Sequence, residues 1–366
     1  MGELKRTPLY EWHKARGARL IDFAGWEMPV YYEGIVAEHQ ATREKAGMFD
    51  LSHMGEIEVK GPDALEFLQS VMTNDVSVIS DGQAQYSALC YENGTIVDDL
   101  LITKLPGRYL LVVNASNIAK DFNWLKSHIK GRVEVLDRSS EFAIFAIQGP
   151  HAEDIVAAFY GESVRSLPYY HAIELDYQDK KNAILISRTG YTGEDGFEVL
   201  LPNEYALETW NKLFEVGEKY DLVPVGLGAR DTLRMEMKFA LYGNDISDQT
   251  NPLEAGLGWV VKLDKEFIGS AALKSIKEKG LERKLVAFEM VDRGIPRQHC
   301  PVVIDGQPVG EVTSGSVSPS TGKNIGLAYV PTGSSKIGTE IAIDIRGKIL
   351  KAKVVKAPFV PSHVKK

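Results

Sequence analysis

Hydrophobic and polar positions follow two periods along this chain, and the switches between them mark its elements. The opening segment to about Phe49 mixes loop and helix; Ile35, Val36, His39 and Ala41 begin a helix that runs to Lys45, and Gly47 can end it. Gly55-Glu56-Ile57-Glu58-Val59-Lys60 then alternates as a half-buried strand does. Gly61-Pro62-Asp63 opens a helix carrying Leu65, Phe67, Leu68 and Val71. Tyr86 to Tyr91 reads as a strand, Asn93-Gly94 as a hairpin turn, and Ile96 to Thr103 as the returning strand. Tyr109 to Val113 is a further strand, Ser116 is a suitable N-cap for a helix through Trp124 and Leu125, and Val133 to Leu136 closes the unit. Residues 55–137 therefore read as an α+β module with antiparallel pairing.

A second series follows. Phe142 to Gln148 is strand-like, Gly149-Pro150 breaks it, and Ala152 to Phe159 is helical. Ala183 to Arg188 and Phe197 to Leu201 are strands on either side of a glycine-rich turn. Pro202 to Lys219 predicts an amphipathic helix with Ala206, Leu207, Trp210, Leu213, Phe214 and Val216 on one face. Residues 265–281 are helical and charged, as suits a linker. From Arg283 onward, short alternating strands separated by Gly, Pro, Ser and Thr predict a small all-β domain.

A length of 366 residues suits two to three domains at about 150 residues each. Hydrophobic residues at 44% and charged residues at 25% are those of an ordinary globular chain, which excludes collagen, coiled-coil and disordered classes. A net charge of −8 argues against a dedicated nucleic-acid binder. Cys90 and Cys300 are too few for a disulfide framework or, alone, a four-ligand zinc site, and read as reduced thiols. The N-terminal stretch has no apolar core of signal-peptide length, and no apolar run approaches the roughly 18 residues of a membrane span. A cytoplasmic protein with no membrane association is expected.

Several chemical motifs fail. There is no His-x-His or His-Glu-x-x-His pair for a metal and no Gly-x-Ser-x-Gly elbow. Gly315 to Asn324 resembles a phosphate loop but is two residues too long, and reads as a β-turn loop. Gly226-Leu227-Gly228-Ala229-Arg230-Asp231 lacks the third glycine of a dinucleotide fingerprint and more plausibly starts a helix, with Arg230 and Asp231 in its first turn. Three features remain. Asp98 and Asp99 interrupt an apolar strand and face opposite sides of it, so either an edge strand uses one acid to bind backbone, or one carboxylate points into a ligand cavity. In Ser187 to Glu198, glycines spaced by three lie between two strands; they make an ordinary hairpin, or they let the backbone approach a ligand beside Tyr191 and Glu198. A carboxylate at Glu198 suits the paired N–H donors of a pterin or guanine edge. Arg230 opposes the dipole of the helix it starts, so it pairs with Asp231 or Glu236, or it holds a ligand oxygen.

Taken in order along the chain, these segments resemble the T-proteins of the glycine cleavage system, the tetrahydrofolate-dependent aminomethyltransferases. The resemblance is carried by Lys5-Arg6-Thr7-Pro8-Leu9, Phe23 to Pro29, Met48 to Glu56, the Asp98-Asp99 strand, Ser187 to Glu198, Gly226 to Arg234, Asn251 to Gly256 and Ala357-Pro358-Phe359. It implies an α+β fold in which three domains of mainly antiparallel sheets and helices form a cloverleaf around a central folate cavity. The expected units are residues 1–54 joined to 138–250, residues 55–137, a connecting segment at 251–282, and a β-barrel or jelly roll at 283–366. It implies Asp99 as the catalytic acid, and Met54, Tyr86, Asn114, Tyr191, Glu198, Arg230, Tyr242 and Trp259 as folate contacts. Val364 stands where some family members place a tyrosine near the ligand.

The reaction so implied transfers the methylene carbon of an aminomethyl group, carried on the lipoyl arm of an H-protein, to tetrahydrofolate. Folate N5 attacks that carbon, ammonia leaves, ring closure at N10 gives 5,10-methylenetetrahydrofolate, and the dihydrolipoyl arm is released. The implied partners are lipoylated H-protein and folate, with tetrahydrofolate as co-substrate, no metal, and no nicotinamide or flavin on this chain. Other folate-dependent transferases of the superfamily are the competing reading, but there is no Gly-x-Gly-x-x-Gly for a fused flavin domain. Non-catalytic folate-binding relatives carry a Lys-Gly-Cys-Tyr-x-Gly-Gln-Glu segment, and neither cysteine here has that context.

Overall fold

The computed structural model describes residues 3–176 and 183–365, so Met1, Gly2 and Lys366, at the ends of the expected outer units, lie outside the described residues. Two large sheets and a closed barrel form the frame, and Arg19–Phe23 pairs with Trp26–Tyr31 in a small two-stranded sheet. The first sheet has six strands, in the order Ala172–Asp176, Ala183–Ser187, Gly196–Pro202, Phe142–Gln148, Gly47–Asp50 and Val223–Val225. Its neighbours are antiparallel except the last pair. The second sheet is antiparallel throughout, in the order Ala84–Cys90, Ile96–Leu105, Arg108–Val113, Gly55–Lys60 and Glu134–Asp137. Six strands between Arg283 and Val355 close the barrel. This is the expected α+β class with antiparallel sheets and a C-terminal barrel.

Each large sheet buries one face against its own helices. Phe145, Ile147, Ile186, Phe197 and Val199 pack on Ile155, Trp210 and Leu213. Ile57, Val59, Leu100, Ile102 and Leu111 pack on Phe67, Leu68 and Leu125. Strand side chains alternate, so the other faces of the two sheets turn toward each other: Ile144, Leu185 and Leu200 from the first, Leu101, Leu110 and Val112 from the second. A cavity remains between them.

The strand Ile96–Leu105 is second in its sheet, but its pairing with Arg108–Val113 begins only at Leu101; at Asp98-Asp99 it is paired on the Ala84–Cys90 side alone, and Asp98 accepts from the Asn114 backbone, as the edge-strand reading expects. Several expected details differ. Ser116 is not the N-cap: residues Ala115–Asn117 form a short 3₁₀ turn and the helix Ile118–Ser127 starts after Asn117. The Asn117 side chain does not cap that helix either; its Nδ2 donates to Asp98. The helix expected over Pro202 to Lys219 is Ala206–Gly217, with 3₁₀ turns at both ends. Its Leu207 is on the solvent side, as are Val36 in Ile35–Glu44 and Leu65 in Ala64–Val71. These side chains sit at the rim of an apolar stripe that the neighbouring elements do not cover. The charged segment 265–281 carries the helix Ser270–Lys279, but it is no solvated spacer: Phe267 and Leu273 are buried with Cys90 and Val261.

Candidate active site

The two faces of the strand Ile96–Leu105 decide which aspartate meets the cavity. Leu89 stands opposite Asp98 while the next residue, Cys90, stands opposite Ile96, so Val97 is an extra residue in a bulge. Beyond it, Asp98, Leu100 and Ile102 point away from the cavity, and Leu100 and Ile102 enter the module core. Leu101 and Thr103 line the cavity and Asp99 shares their face. Asp98 is fully buried and Asp99 half-buried.

Asp99 accepts hydrogen bonds from the Tyr86 hydroxyl at 2.7 Å and from Asn114 Nδ2 at 2.9 Å. Asn114 follows the strand Arg108–Val113, and its amide also reaches Asp98 Oδ1 at 2.8 Å, so one side chain ties the two acids together. Burial, and then the charge of Asp98, push Asp99 up to about 7, against the opposing pull of Tyr86 and Asn114. A carboxyl group that exchanges its proton near neutral pH is suited to general acid–base work. The Tyr86 ring stacks on Trp259 with centroids 5.7 Å apart, and Trp259 is 60% exposed at the outer edge.

Met54, Glu198 and Arg230 all line the cavity. Glu198 lies in the strand Gly196–Pro202 on the face opposite Phe197 and Val199, and accepts a hydrogen bond from Thr189 Oγ1 at 2.5 Å. Arg230 lies in the first turn of Leu227–Glu236, and Asp231 begins the second. A side chain at Gly226 would collide with the backbone of Val30, so glycine lets this helix start against the strand Trp26–Tyr31. Among the described residues no carboxylate pairs with Arg230: Asp231 pairs with Arg234, and Glu236 with Arg43 and His39. Its guanidinium lies 4.8 Å over the Tyr191 ring, and burial lowers its pKa.

The glycine-rich turn does serve close approach, but to a protein side chain: a Cβ at Gly190 or Gly196 would strike Gln148. Gln148 holds the turn by donating to the Thr189 carbonyl and accepting from Thr192 Oγ1. The turn presents Tyr191, whose hydroxyl donates to the Ala240 carbonyl and whose ring stacks on Phe239. Ala240, Tyr86 and Tyr242 pack on one cluster around Ile246 and Val260. Tyr242 accepts a hydrogen bond from Lys120 Nζ at 2.8 Å, and Lys120 also lies over its ring. All nine residues singled out from the sequence thus fall in one connected region. The C-terminal tail lies on the turn itself, with His363 bonded to Gly193 and Glu194. Lys120, the bonding role of Thr189 and the cavity-lining Leu101 and Thr103 were not foreseen. Only the last two had a sequence signal, the alternation that follows once Asp99 is placed.

Residues 9–265 match the GCVT N-terminal domain, and residues 283–361 match the glycine cleavage T-protein C-terminal barrel domain. The aminomethyltransferase of Symbiobacterium thermophilum is 53% identical over 368 residues, covering 98% of each chain. That of Bacillus subtilis is 50% identical over 360 residues, covering 97% of this chain and 99% of the other. The crystal structure of the glycine cleavage system aminomethyltransferase T from Bartonella henselae superposes with a TM-score of 0.93 at 37% identity, covering 99% of this chain and all of that one. Sequence, barrel and overall geometry agree along the chain, which belongs to the glycine cleavage T-protein family.

Proposed function

We propose that this chain transfers the methylene carbon of an aminomethyl-lipoyl group on H-protein to tetrahydrofolate, yielding 5,10-methylenetetrahydrofolate, ammonia and dihydrolipoyl H-protein. The observation that carries this reading is the Asp99 carboxyl, held by Tyr86 and Asn114 and pushed up by burial, beside a cavity that also holds Glu198 and an unpaired Arg230. This donor set suits a reduced pterin. Glu198 would accept from its amino and ring N–H groups, Arg230 would donate to a folate oxygen or carboxylate, and Tyr86, Tyr191 and Trp259 offer flat faces. Met54 and Tyr242 complete the contact set. Asp99 would take the proton that N5 loses as it bonds to carbon, with Tyr86 and Asn114 fixing the carboxylate.

The test combines purified protein, aminomethylated lipoyl H-protein and tetrahydrofolate. Ammonia and methylenetetrahydrofolate should appear together, and only with folate. Folate binding without consumption of the aminomethyl arm would remove the substrate assignment. Glu198→Gln should weaken folate binding by roughly 10- to 100-fold, the worth of a hydrogen bond to a charged group. Titration of intrinsic fluorescence measures this, and an unchanged affinity would move the pterin edge elsewhere.

The same reading divides the chain into residues 1–54 with 138–250, 55–137, a connector at 251–282, and 283–366, in keeping with the separate cores. It places the protein in the cytoplasm; among the described residues no helix is long and apolar enough to cross a membrane. Residues 335–366 hold eight basic and two acidic residues, a net of +6 on a chain of net −8. Lys348, Lys351 and Lys353 in this stretch are exposed along one barrel strand. If they steer an acidic H-protein, raising salt from low to physiological levels slows association by roughly tenfold or more. Stopped-flow rates indifferent to salt would remove the steering.

A further inference from the structure

Behind Asp99, on the side away from the cavity, two more carboxyl groups are fully buried: Asp98, and Asp121 in the first turn of the helix Ile118–Ser127. They are treated very differently. Asp98 receives three N–H donors, from Asn117 Nδ2 at 2.6 Å, Asn114 Nδ2 at 2.8 Å and the Asn114 backbone at 3.2 Å. No N–H or hydroxyl reaches either oxygen of Asp121. Yet the Asp121 carboxyl lies close enough to that of Asp98 for the two to interact directly. Two ionised carboxylates side by side repel, and a buried carboxylate without donors is costly, so one of the pair is held as a carboxylic acid. The charge belongs on the group that three donors solvate, and the proton on the group that none does.

The surrounding groups agree with this division. Lys120, next in sequence, favours an ionised Asp121, as does the helix N-terminus. Lys120 is spent elsewhere, however, donating to the Val97 carbonyl and the Tyr242 hydroxyl. Tyr91 and Tyr242, also nearby, are held neutral by burial. Burial and the two aspartates prevail and push Asp121 up to about 11.

We propose that Asp121 is a positioning residue of the transfer site, a standing carboxylic acid that donates its proton to Asp98 and leaves Asp98 as the one anion behind Asp99. One buried negative charge raises the proton affinity of Asp99; a second would hold the Asp99 proton too tightly for it to act as a base near neutral pH. The catalytic consequence rests on the role given to Asp99 above, whereas the protonation of Asp121 does not.

The test is infrared difference spectroscopy of the full chain at pH 9, in H₂O and D₂O, between wild type and Asp121→Asn. The wild type should show a protonated-carboxyl C=O band that shifts on deuteration and is lost in Asp121→Asn. Glu56, a second buried acid with unpartnered oxygens, contributes equally to both and cancels. Asparagine keeps a donor to Asp98, so the acid limb of the pH–turnover profile should stay in place. Asp121→Leu removes that donor, and the limb should move to higher pH by about a unit, because the Asp98 charge, no longer shared with that donor, then acts more strongly on Asp99. Absence of the difference band, or a limb that falls by a unit in Asp121→Asn, overturns the proposal. A band lost in Asp121→Asn, with full turnover in Asp99→Asn, upholds the protonated Asp121 but overturns its positioning role together with the role of Asp99.

Discussion

Asp99→Asn should lower turnover by roughly 10²–10⁴, the range for a positioned acid–base or electrostatic group, and should at the same time stabilise the fold above neutral pH. The substitution is sterically quiet. Asparagine Oδ1 can accept from Asn114 Nδ2, and its amide can donate to the Tyr86 hydroxyl, which rotates to accept. What is lost is the ability to take a proton.

The stability gain follows from linkage. The Asp99 carboxyl stands at about 7 in the folded protein, against an ordinary value of 3.8. Between these limits the unfolded chain has released its proton while the folded chain keeps it, so wild-type stability falls as pH rises through that window and levels off above about 7. Asparagine has no such cost. The advantage of the variant should therefore be absent at pH 3, grow from about pH 4 to 7, and stay constant beyond. Urea midpoints at pH 4, 6 and 8 read it directly. A variant less stable than wild type at pH 8, or with near-normal turnover, would sink the assignment of Asp99 as the strained acting group. The combination is the expected trade-off at an active site, where stability is given up to hold a group in a reactive state.

How much of this was legible in the sequence depends on the distance over which each feature is decided. Strand alternation placed Asp98 and Asp99 on opposite faces, and that is what the structure has. It could not choose the cavity face, because the choice is made by the bulge at Val97 and by Asn114, which lies beyond the next strand. The segment Ser187 to Glu198 announced two strands and a glycine turn, since glycine spacing is a local constraint. That its glycines make room for Gln148, some forty residues earlier, is not local and left no mark. Arg230 and Arg234 lie four residues apart on one helix, so the pattern could not tell which of them meets the nearby acids. The structure gives Asp231 to Arg234 and leaves Arg230 for the cavity. Alternation likewise announced the last domain as all-β, but not the closed order of its strands, in which Arg283–Met290 pairs with Asn324–Pro331 and Lys348–Val355. Asp121 was invisible, because a helical aspartate in a first turn ordinarily reads as a solvated, dipole-favoured charge.

Arg234 carries the largest expected effect on stability. Its side chain is 1% exposed and joins three parts of the molecule. It pairs with Asp231 on its own helix and with the fully buried Asp245 in the following loop, and it donates to Ser314 Oγ on the barrel at 2.8 Å. Asp245 in turn accepts from Thr313 and Ser314 of the same barrel strand. An exposed pair such as Lys45–Asp221, at 48% and 68% exposure, contributes only about 0–1 kcal/mol. Arg234→Met keeps most of the volume but strands the Asp245 carboxylate without a counter-charge, and should cost about 3–5 kcal/mol. Adding Asp245→Asn removes the stranded charge while keeping an acceptor for Thr313 and Ser314, so the double variant should recover most of that loss. Denaturant unfolding followed by tryptophan fluorescence measures both. A single variant that loses less than about 1 kcal/mol, or a double variant no better than the single, would show that the pair does not hold helix, loop and barrel together. The same helix presents Arg230 to the cavity one turn earlier, so loosening it at Arg234 should also weaken the folate binding proposed for that cavity, even though Arg234 itself lies outside its lining.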